Sequence, residues 1–522
     1  MATKARGGLL PRIMMRKSVE QVQQETATSE LKRSLGPWNL VFLGVGCIIG
    51  AGIFVRTGNA AALHAGPAVL LSFVVAGVVC GLAGLCYAEL SSTLPVSGSA
   101  YTYSYTTLGE FAAWIMGSLL LLEYGLAASV VAVGWSGYMV SLLGDMGLYI
   151  PVALTGPSGH PKELADGTVI TTLFNLPAFL VCVVLSLLLV LGVSESAKFN
   201  NVIVAIKVSV ITAFILVGGY MVLTHFDTLS ANWSPFIPEP TGQKGEFGWS
   251  GIMRAASIVF FAYIGFEAVS TAGQEAKNPQ RDMPIGILGS LFVCTLLYIL
   301  VSIVLTLVVN YKDLNVPDPV AVAVDSFGPQ WAWFASTIKV GAIIGLTSVI
   351  LVLMYGQTRI FYTMARDGLM PAMFARVHDK FRTPWINTLL VGLLVAVAAG
   401  FFDINTLGDM TSVGTLAAFG IVCFTVIWLR RSHPELPRGF RVPLYPVLPI
   451  LGVLSCFGLI FSVENRVLAF FGWFMVGAVI LYFVYGMHNS RLAKGEPPLA
   501  RPDLPEFPED APTIDGKPVI RP

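Results

Sequence analysis

Charge is scarce in this chain. Asp, Glu, Lys and Arg together make up 12% of its 522 residues, where a soluble domain carries about 25%. An ordinary water-covered surface is therefore excluded. Histidine is scarcer still, with six copies, and the apolar stretches contain no grouping of His, Asp and Cys that would supply a nucleophile–base pair or a metal quartet. The seven cysteines, Cys47, Cys80, Cys86, Cys182, Cys294, Cys423 and Cys456, all sit inside apolar runs. They have neither metal-ligand spacing nor the pattern of a secreted disulfide framework, and read as small packing residues. A net charge of +1 gives no electrostatic case for a nucleic-acid partner. Residues 1–34 are polar and basic and lack the apolar core of a cleavable signal peptide. Nothing in the sequence asks for a cofactor.

What the chain does have is long apolar runs. Hydrophobic residues make up 55% of it, and mean hydropathy is +0.73. Runs of about 20 apolar residues are long enough to cross a bilayer as helices, so the sequence predicts an all-α polytopic membrane protein. Twelve spans are expected, at 38–61, 67–92, 106–143, 174–194, 197–222, 250–275, 285–310, 331–364, 386–402, 412–429, 445–463 and 467–486. The third and eighth exceed the bilayer thickness and should tilt or protrude. An even count puts both tails on one side. On that side fall seven Lys and Arg of the N-terminal tail and eleven of the loops, against Lys162, Lys244, Lys312 and Arg466 opposite. The positive-inside rule then places both termini in the cytoplasm.

Two spans carry internal interruptions. The first holds Gly50-Ala51-Gly52 and the sixth holds Ile264-Gly265-Phe266. Irregular backbone survives at membrane depth only where it lines a cavity or is buried in protein. Matched breaks in the first helix of each half point to the binding site of a secondary transporter. The halves, 38–222 and 250–429, hold five spans each. An odd number forces the second half to enter in the opposite sense, which makes an inverted repeat. The loop 223–249 joins the halves, and 430–490 adds helices eleven and twelve. Residues 1–37 and 491–522 form cytoplasmic tails, and the Pro-, Asp- and Glu-rich C-terminal one is expected to be disordered.

The breaks suggest a chemistry. Free amides at Gly50, Ala51 and Gly52, at the positive end of the outer half-helix, suit a carboxylate; the competing reading is close helix packing through small residues. Unwinding near Ala262 to Gly265 frees carbonyls of Phe261, Ala262 and Ile264 for an ammonium group. Phe260, Phe261, Tyr263 and Phe266 are candidates for the walls, or for plain packing. Intramembrane charges are functional hypotheses by default. Lys207 lies about 15 Å into span five, too deep to snorkel easily, and is a candidate proton-coupling group. Glu123 in span three is its candidate partner, directly or through water. Thr347 and Ser348 in span eight are candidate hydroxyl partners of the lysine, unless they bond back to their own helix. Glu267 either caps the second break or faces a cationic substrate side chain. Arg56, Arg254 and Lys339 are expected in an outer vestibule or snorkelling, and Glu89 at the inner interface.

At these residues the chain resembles the amino acid–polyamine–organocation (APC) superfamily, and is similar to bacterial homologues of the cationic amino acid transporter (CAT) family. The resemblance rests on Gly50-Ala51-Gly52-Ile53-Phe54, Tyr87-Ala88-Glu89-Leu90, Pro95 to Tyr105 with Gly109-Glu110-Phe111, Asn200-Asn201 with Lys207, and Phe260 to Glu267. It extends through Glu275 to Pro284, Arg359 to Pro371 and Phe440-Arg441-Val442-Pro443. It implies a LeuT-type fold of five plus five inverted repeats with helices 1 and 6 broken and two helices added. It implies alternating-access transport of L-amino acids, cationic or small neutral, without sodium and with protons as the coupling ion. The carboxylate site maps to Ile48, Gly50, Ala51 and Gly52, and the amine site to Phe261, Ala262 and Ile264. Relatives often have Ser or Thr where Ala51 stands, so one hydroxyl contact to the carboxylate is lost here. The expected location is the inner or plasma membrane, with membrane lipid and the proton as partners and a small accessory subunit left open. An exchanger and a transport-silent amino acid sensor are the alternatives.

Overall fold

The computed structural model describes residues 12–18, 35–94, 99–163, 168–192, 197–499, 513–514 and 517–518. The remaining tail residues, including the basic ones of 1–11 and 19–34 and the acidic run beyond 499, lie outside these, as does Pro95.

Twelve apolar helical segments cross the bundle. They are α1, split into Pro37–Ile48 (α1a) and 52–65 (α1b); α2, Val69–Thr93; α3, Glu110–Asp145; α4, Leu176–Val190; and α5, Ala197–Thr224. Then come α6, split into Gly248–Val259 (α6a) with a tight turn Phe260–Tyr263 and Ala268–Thr271 (α6b); α7, Pro279–Val308; α8, Ala332–Arg366; α9, Trp385–Phe401; α10, Ile404–Ser432; α11, Val447–Ile460; and α12, Asn465–Leu481, which runs on through Gly486. The long third and eighth spans are 36 and 35 residues, about 54 Å at 1.5 Å per residue. A short antiparallel ribbon, Pro161–Glu163 with Val169–Thr171, decorates the α3–α4 connection.

Packing follows the five-plus-five pattern. α2 packs on α7, α3 on α8 and α4 on α9, while α1b meets the turn of α6. α5 lies against α1a, α7 and α8, and α10 lies against α6a, α2 and α3. Each set becomes the other when five is added to or subtracted from the helix number, which is the contact signature of two related halves. Lipid supplies no hydrophobic drive between helices, so close approach depends on small residues. Gly52 is one such point, since a Cβ there would fall on the backbone of Ala262.

Several expectations are corrected. α10 begins at Ile404 rather than 412, because the Asp403 carboxylate accepts from the amides of Asn405 (3.0 Å) and Thr406 (2.9 Å) and caps the helix there. Residues 491–499 are ordered rather than disordered. Ser490 caps the short helix Arg491–Lys494, and Leu499 exchanges hydrogen bonds with Arg366. Residues 12–18 also dock beside the ends of α8, α10 and α12. Lys17 pairs with Asp367 at 2.6 Å, Arg16 lies over Trp428, and Arg12 donates to the Met487 carbonyl.

The deep charges are paired rather than snorkelling. Arg56 is fully buried. It donates to Asp409 at 2.7 Å and to the side chain of Asn405 at 2.8 Å. Arg254 donates to the other Asp409 oxygen and to Ser257. Lys339 pairs with Asp145 (2.7 Å) and Asp325 (2.9 Å). Glu89 is buried under Arg430 (2.5 Å) and Arg438 (3.5 Å) rather than lying at the lipid interface. An unpaired charge inside a protein costs far more than the pair contributes, which explains why each of these ions has found a counter-ion. Asp409→Asn is therefore expected to lower stability by about 3–5 kcal/mol. Glu464→Gln, which removes the largely exposed carboxylate 3.9 Å from Arg254, should cost less than about 1 kcal/mol. Thermal unfolding of the two purified variants checks the contrast.

Candidate functional site

The first break is a change of backbone direction at Ile49, whose φ of −70° and ψ of 104° leave the helix. The chain turns helical again from Ala51. The second break spans Ile264, at φ −57° and ψ 133°, and Gly265, at φ +115°. That left-handed value favours glycine, and a Cβ at Gly265 would also press on the carbonyl of Cys47. The two breaks thus face each other in contact. α1b offers the unpaired first-turn amides of a helix N-terminus toward this point. A Cβ at Gly50 would meet both methyls of Val349 of α8 at 3.3 Å.

Three side chains secure the unwound backbone. Glu267 is buried, accepts from the Gly265 amide at 2.9 Å and from the Tyr124 hydroxyl at 3.3 Å. It is the cap of the second break, the first of its two expected roles. Lys207, 2% exposed, donates to the carbonyl of Gly46 at 3.1 Å and lies along Gly345 of α8. Tyr298 of α7 places its hydroxyl 2.9 Å from the carbonyls of both Ile48 and Ala262. Of the three carbonyls expected to receive an amine, that of Ala262 thus faces Tyr298 and that of Phe261 accepts from the Ile264 amide. Among the described residues no group donates to the Ile264 carbonyl.

Other expected residues are placed differently. Glu123 forms no ion pair with Lys207. It is fully buried, and its polar neighbours are the Glu267 carboxylate and the Thr415 hydroxyl. The cause is angular, since α3 turns Glu123 toward the α6 break while Lys207 reaches α1a. Thr347 does not serve the lysine either. Its hydroxyl donates to the Ile343 carbonyl at 2.7 Å and accepts from the Trp135 indole at 2.9 Å. Gly345 and Val349, four apart, define the face of α8 that meets Lys207 and Gly50, and Thr347 points off it. Ser348 is buried beside Val349. Phe260 and Phe266 pack on Phe419 of α10, and Tyr263 donates to the Phe73 carbonyl of α2 at 2.9 Å, so these rings brace the break and leave Phe261 as the aromatic candidate for the wall.

Two functional positions escaped the sequence reading. Asp409 holds both far-side arginines, and its signal was the four-residue spacing from Asn405, which puts both on one helix face toward Arg56. Tyr298 looked like packing in an apolar span, although a buried tyrosine hydroxyl usually has a partner. With Arg56, Asp409 and Arg254 across one end and Lys17–Asp367 and Glu89–Arg430 across the other, ion pairs bind the helices together on both sides of the breaks.

Residues 35–485 match the family model described as amino acid permease. The chain is 46% identical to a methylthioribose transporter of Bacillus subtilis, over 92% of this chain and 99% of that relative. It is 43% identical to the branched-chain amino acid permease BcaP of the same organism, with the same coverage. It is 36% identical to the vacuolar cationic amino acid transporter 4 of Arabidopsis thaliana, over 81% of this chain and 68% of the relative.

Tyr298→Phe removes the hydroxyl between the breaks without changing shape. One buried hydrogen bond is worth about 1–1.5 kcal/mol, so uptake efficiency should fall about tenfold while the unfolding temperature moves little. Gly52→Ala should abolish uptake by forcing the breaks apart, whereas Gly81→Ala, which meets open space, should leave it intact. Initial uptake rates in proteoliposomes measure all three.

Proposed function

The chain belongs to the amino acid permease family, a family of multi-pass membrane transporters rather than enzymes, and from this premise we propose that it is a sodium-independent, proton-coupled amino acid transporter. The observation that carries the reading is the pair of facing breaks. A carboxylate sits on the amides of Gly50, Ala51 and Gly52, in line with Ile48, and an ammonium group sits against the carbonyls of Ile264, Ala262 and Phe261. Ala51 contributes no hydroxyl, so backbone amides alone hold the carboxylate. The two halves, 38–222 and 250–429, act as the repeats that rock against each other, and both tails lie in the cytoplasm with the chain in the inner or plasma membrane.

Lys207 is the coupling group in this reading. It holds the α1a carbonyl of Gly46, where a bound cation would otherwise stabilise the break, so its protonation changes how α1a is tied to α5 and α8. Ser348 is one turn along α8 from Gly345, which lies beside the lysine. Glu123, fully buried, is a second proton site beside Glu267. The engagement of Glu267 by Gly265 and Tyr124 weighs toward small neutral or branched-chain substrates over cationic ones. The relatives' names include both classes.

A second reading has its own observation. The similarity to a methylthioribose transporter, together with a carboxylate site lacking a side-chain hydroxyl at Ala51, favours a neutral solute with no carboxylate.

The test is uptake of radiolabelled alanine, leucine, arginine, lysine and methylthioribose into sodium-free proteoliposomes, with and without an inward proton gradient. Gradient-stimulated uptake of an amino acid is the expected result, and Lys207→Ala should keep substrate binding while losing the stimulation. Uptake confined to vesicles preloaded with amino acid would make the protein an exchanger. Binding without uptake would make it a sensor, and accumulation of methylthioribose alone would select the second reading.

A further inference from the structure

The connection from α7 to α8 folds over the end of α1b. It contains the turn Tyr311–Leu314 and the short helix Pro319–Asp325. A Cβ at Gly58 of α1b would fall on the Leu314 carbonyl and on Pro319, and Asn59 donates to the Asn315 side chain at 2.8 Å. Residues 311–325 therefore form a lid, closed here on α1b. In the orientation proposed above, the lid lies on the outer face. One edge of it follows α3 in steps of one helical turn. Pro317 packs on Gly137, the Asp318 carboxyl meets the Ser141 hydroxyl, and beyond them Asp145 receives Lys339 of α8 at 2.7 Å. Asp325 receives the same lysine at 2.9 Å.

The closed lid thus gathers three carboxyls about one lysine. Lys339 is fully buried, and the half-exposed Asp145 and Asp325 already neutralise it. Asp318 is the third acid. It is partly buried, and its hydrogen bond is to a neutral hydroxyl. The groups around it are Ser141, Tyr138 and, a turn further on, Asp145 of α3, then Lys339 of α8, Asp325 of the lid and the exposed Lys162 of the ribbon. Burial pushes the Asp318 carboxyl above the usual carboxylate range, against the pull of Lys339 and Lys162. An acid taken out of water with no counter-ion of its own keeps its proton.

We propose that closing this lid takes up one proton, carried on Asp318. The sign follows from linkage. With the lid closed, the carboxyl holds its proton more tightly than in water. Closure is therefore favoured in acid and weakens as pH rises through the closed-state value. Once ionised, Asp318 regains its hydration by leaving α3, and the lid leaves with it. The link is local to the lid and stands whichever solute is carried. Where it rests on the transport reading above, it makes the outer side close only after a proton has arrived.

The test is amide hydrogen exchange of the purified full-length protein in detergent, read by mass spectrometry over the lid and over residues 55–60 beneath it. Protection factors, corrected for the intrinsic pH dependence of exchange, should be about threefold higher near pH 5.5 than near pH 8 in both segments. Stronger acid is avoided, since neutralising the two carboxylates on Lys339 would act in the opposite direction. Asp318→Asn carries no charge at either pH and should keep the high value throughout. Asp325→Asn removes the surplus from the other side, because Lys339 then shares Asp145 and Asp318, and it should flatten the response as well. Asp313→Asn, at an exposed acid of the same lid, should respond as the wild type does. Unfolding temperatures identify the variants that fold, and either of the first two suffices. Equal protection at the two pH values would overturn the proposal. So would higher protection near pH 8, the behaviour of a lid held by ionised Asp318, or a wild-type response in folded Asp318→Asn. Uptake that ignores the proton gradient would sink the transport reading and leave this result standing.

Discussion

Backbone amides and carbonyls in hydrocarbon must find partners, and this architecture follows from how the chain meets that demand at two interruptions. A helix satisfies its own polar groups, so breaking one in mid-membrane exposes several at once, each costly in lipid. Here the breaks are placed against one another and surrounded by protein. Gly265 lets the chain turn where Cys47 lies close by, Glu267 takes the amide the turn releases, and Lys207 and Tyr298 reach in from α5 and α7 for carbonyls of the opposite break. The rings of Phe266 and Phe419 each meet Tyr87 edge to face and pack tilted on one another beside this knot, joining α2, α6 and α10.

The buried ions complete the picture. Arg56 and Arg254 come from the broken helices of different halves and converge on one carboxylate of α10. Asp409 and Lys339 therefore each tie the two halves together, through Arg56 and Asp145, while also holding a partner in their own half. A solvated loop charge does not have this effect, because water screens it. The same holds at the opposite end, where Glu89 of α2 is fixed by Arg430 of α10 and by the Val442 amide beyond it at 2.7 Å.

Much of this was legible in the residues. Gly50-Ala51-Gly52 could equally have meant close helix packing, and it was the matching interruption at Ile264-Gly265 in the other half that pointed to breaks, while charge parity gave twelve crossings. Pairing was harder to read. Nothing in the local sequence says that Glu123 looks toward Glu267, since the rotation of α3 about its own axis is set by contacts hundreds of residues away. For Thr347 both readings stood open, lysine partner or bond to its own helix, and the structure shows the second, because two residues along a helix from Gly345 turn a side chain through about 200°. Asp409 was overlooked because hydropathy began the tenth span after it, while the Asp403 cap begins the helix before it.

The tyrosine between the two breaks has an arithmetic of its own. Its hydroxyl has two carbonyl neighbours at equal distance but a single proton. It satisfies one break at a time, and the other carbonyl keeps a lone pair turned toward the centre. The structure is thus one donor short at the point where the two breaks meet, and under the proposed reading an ammonium group, with three protons to give, is the donor that fits.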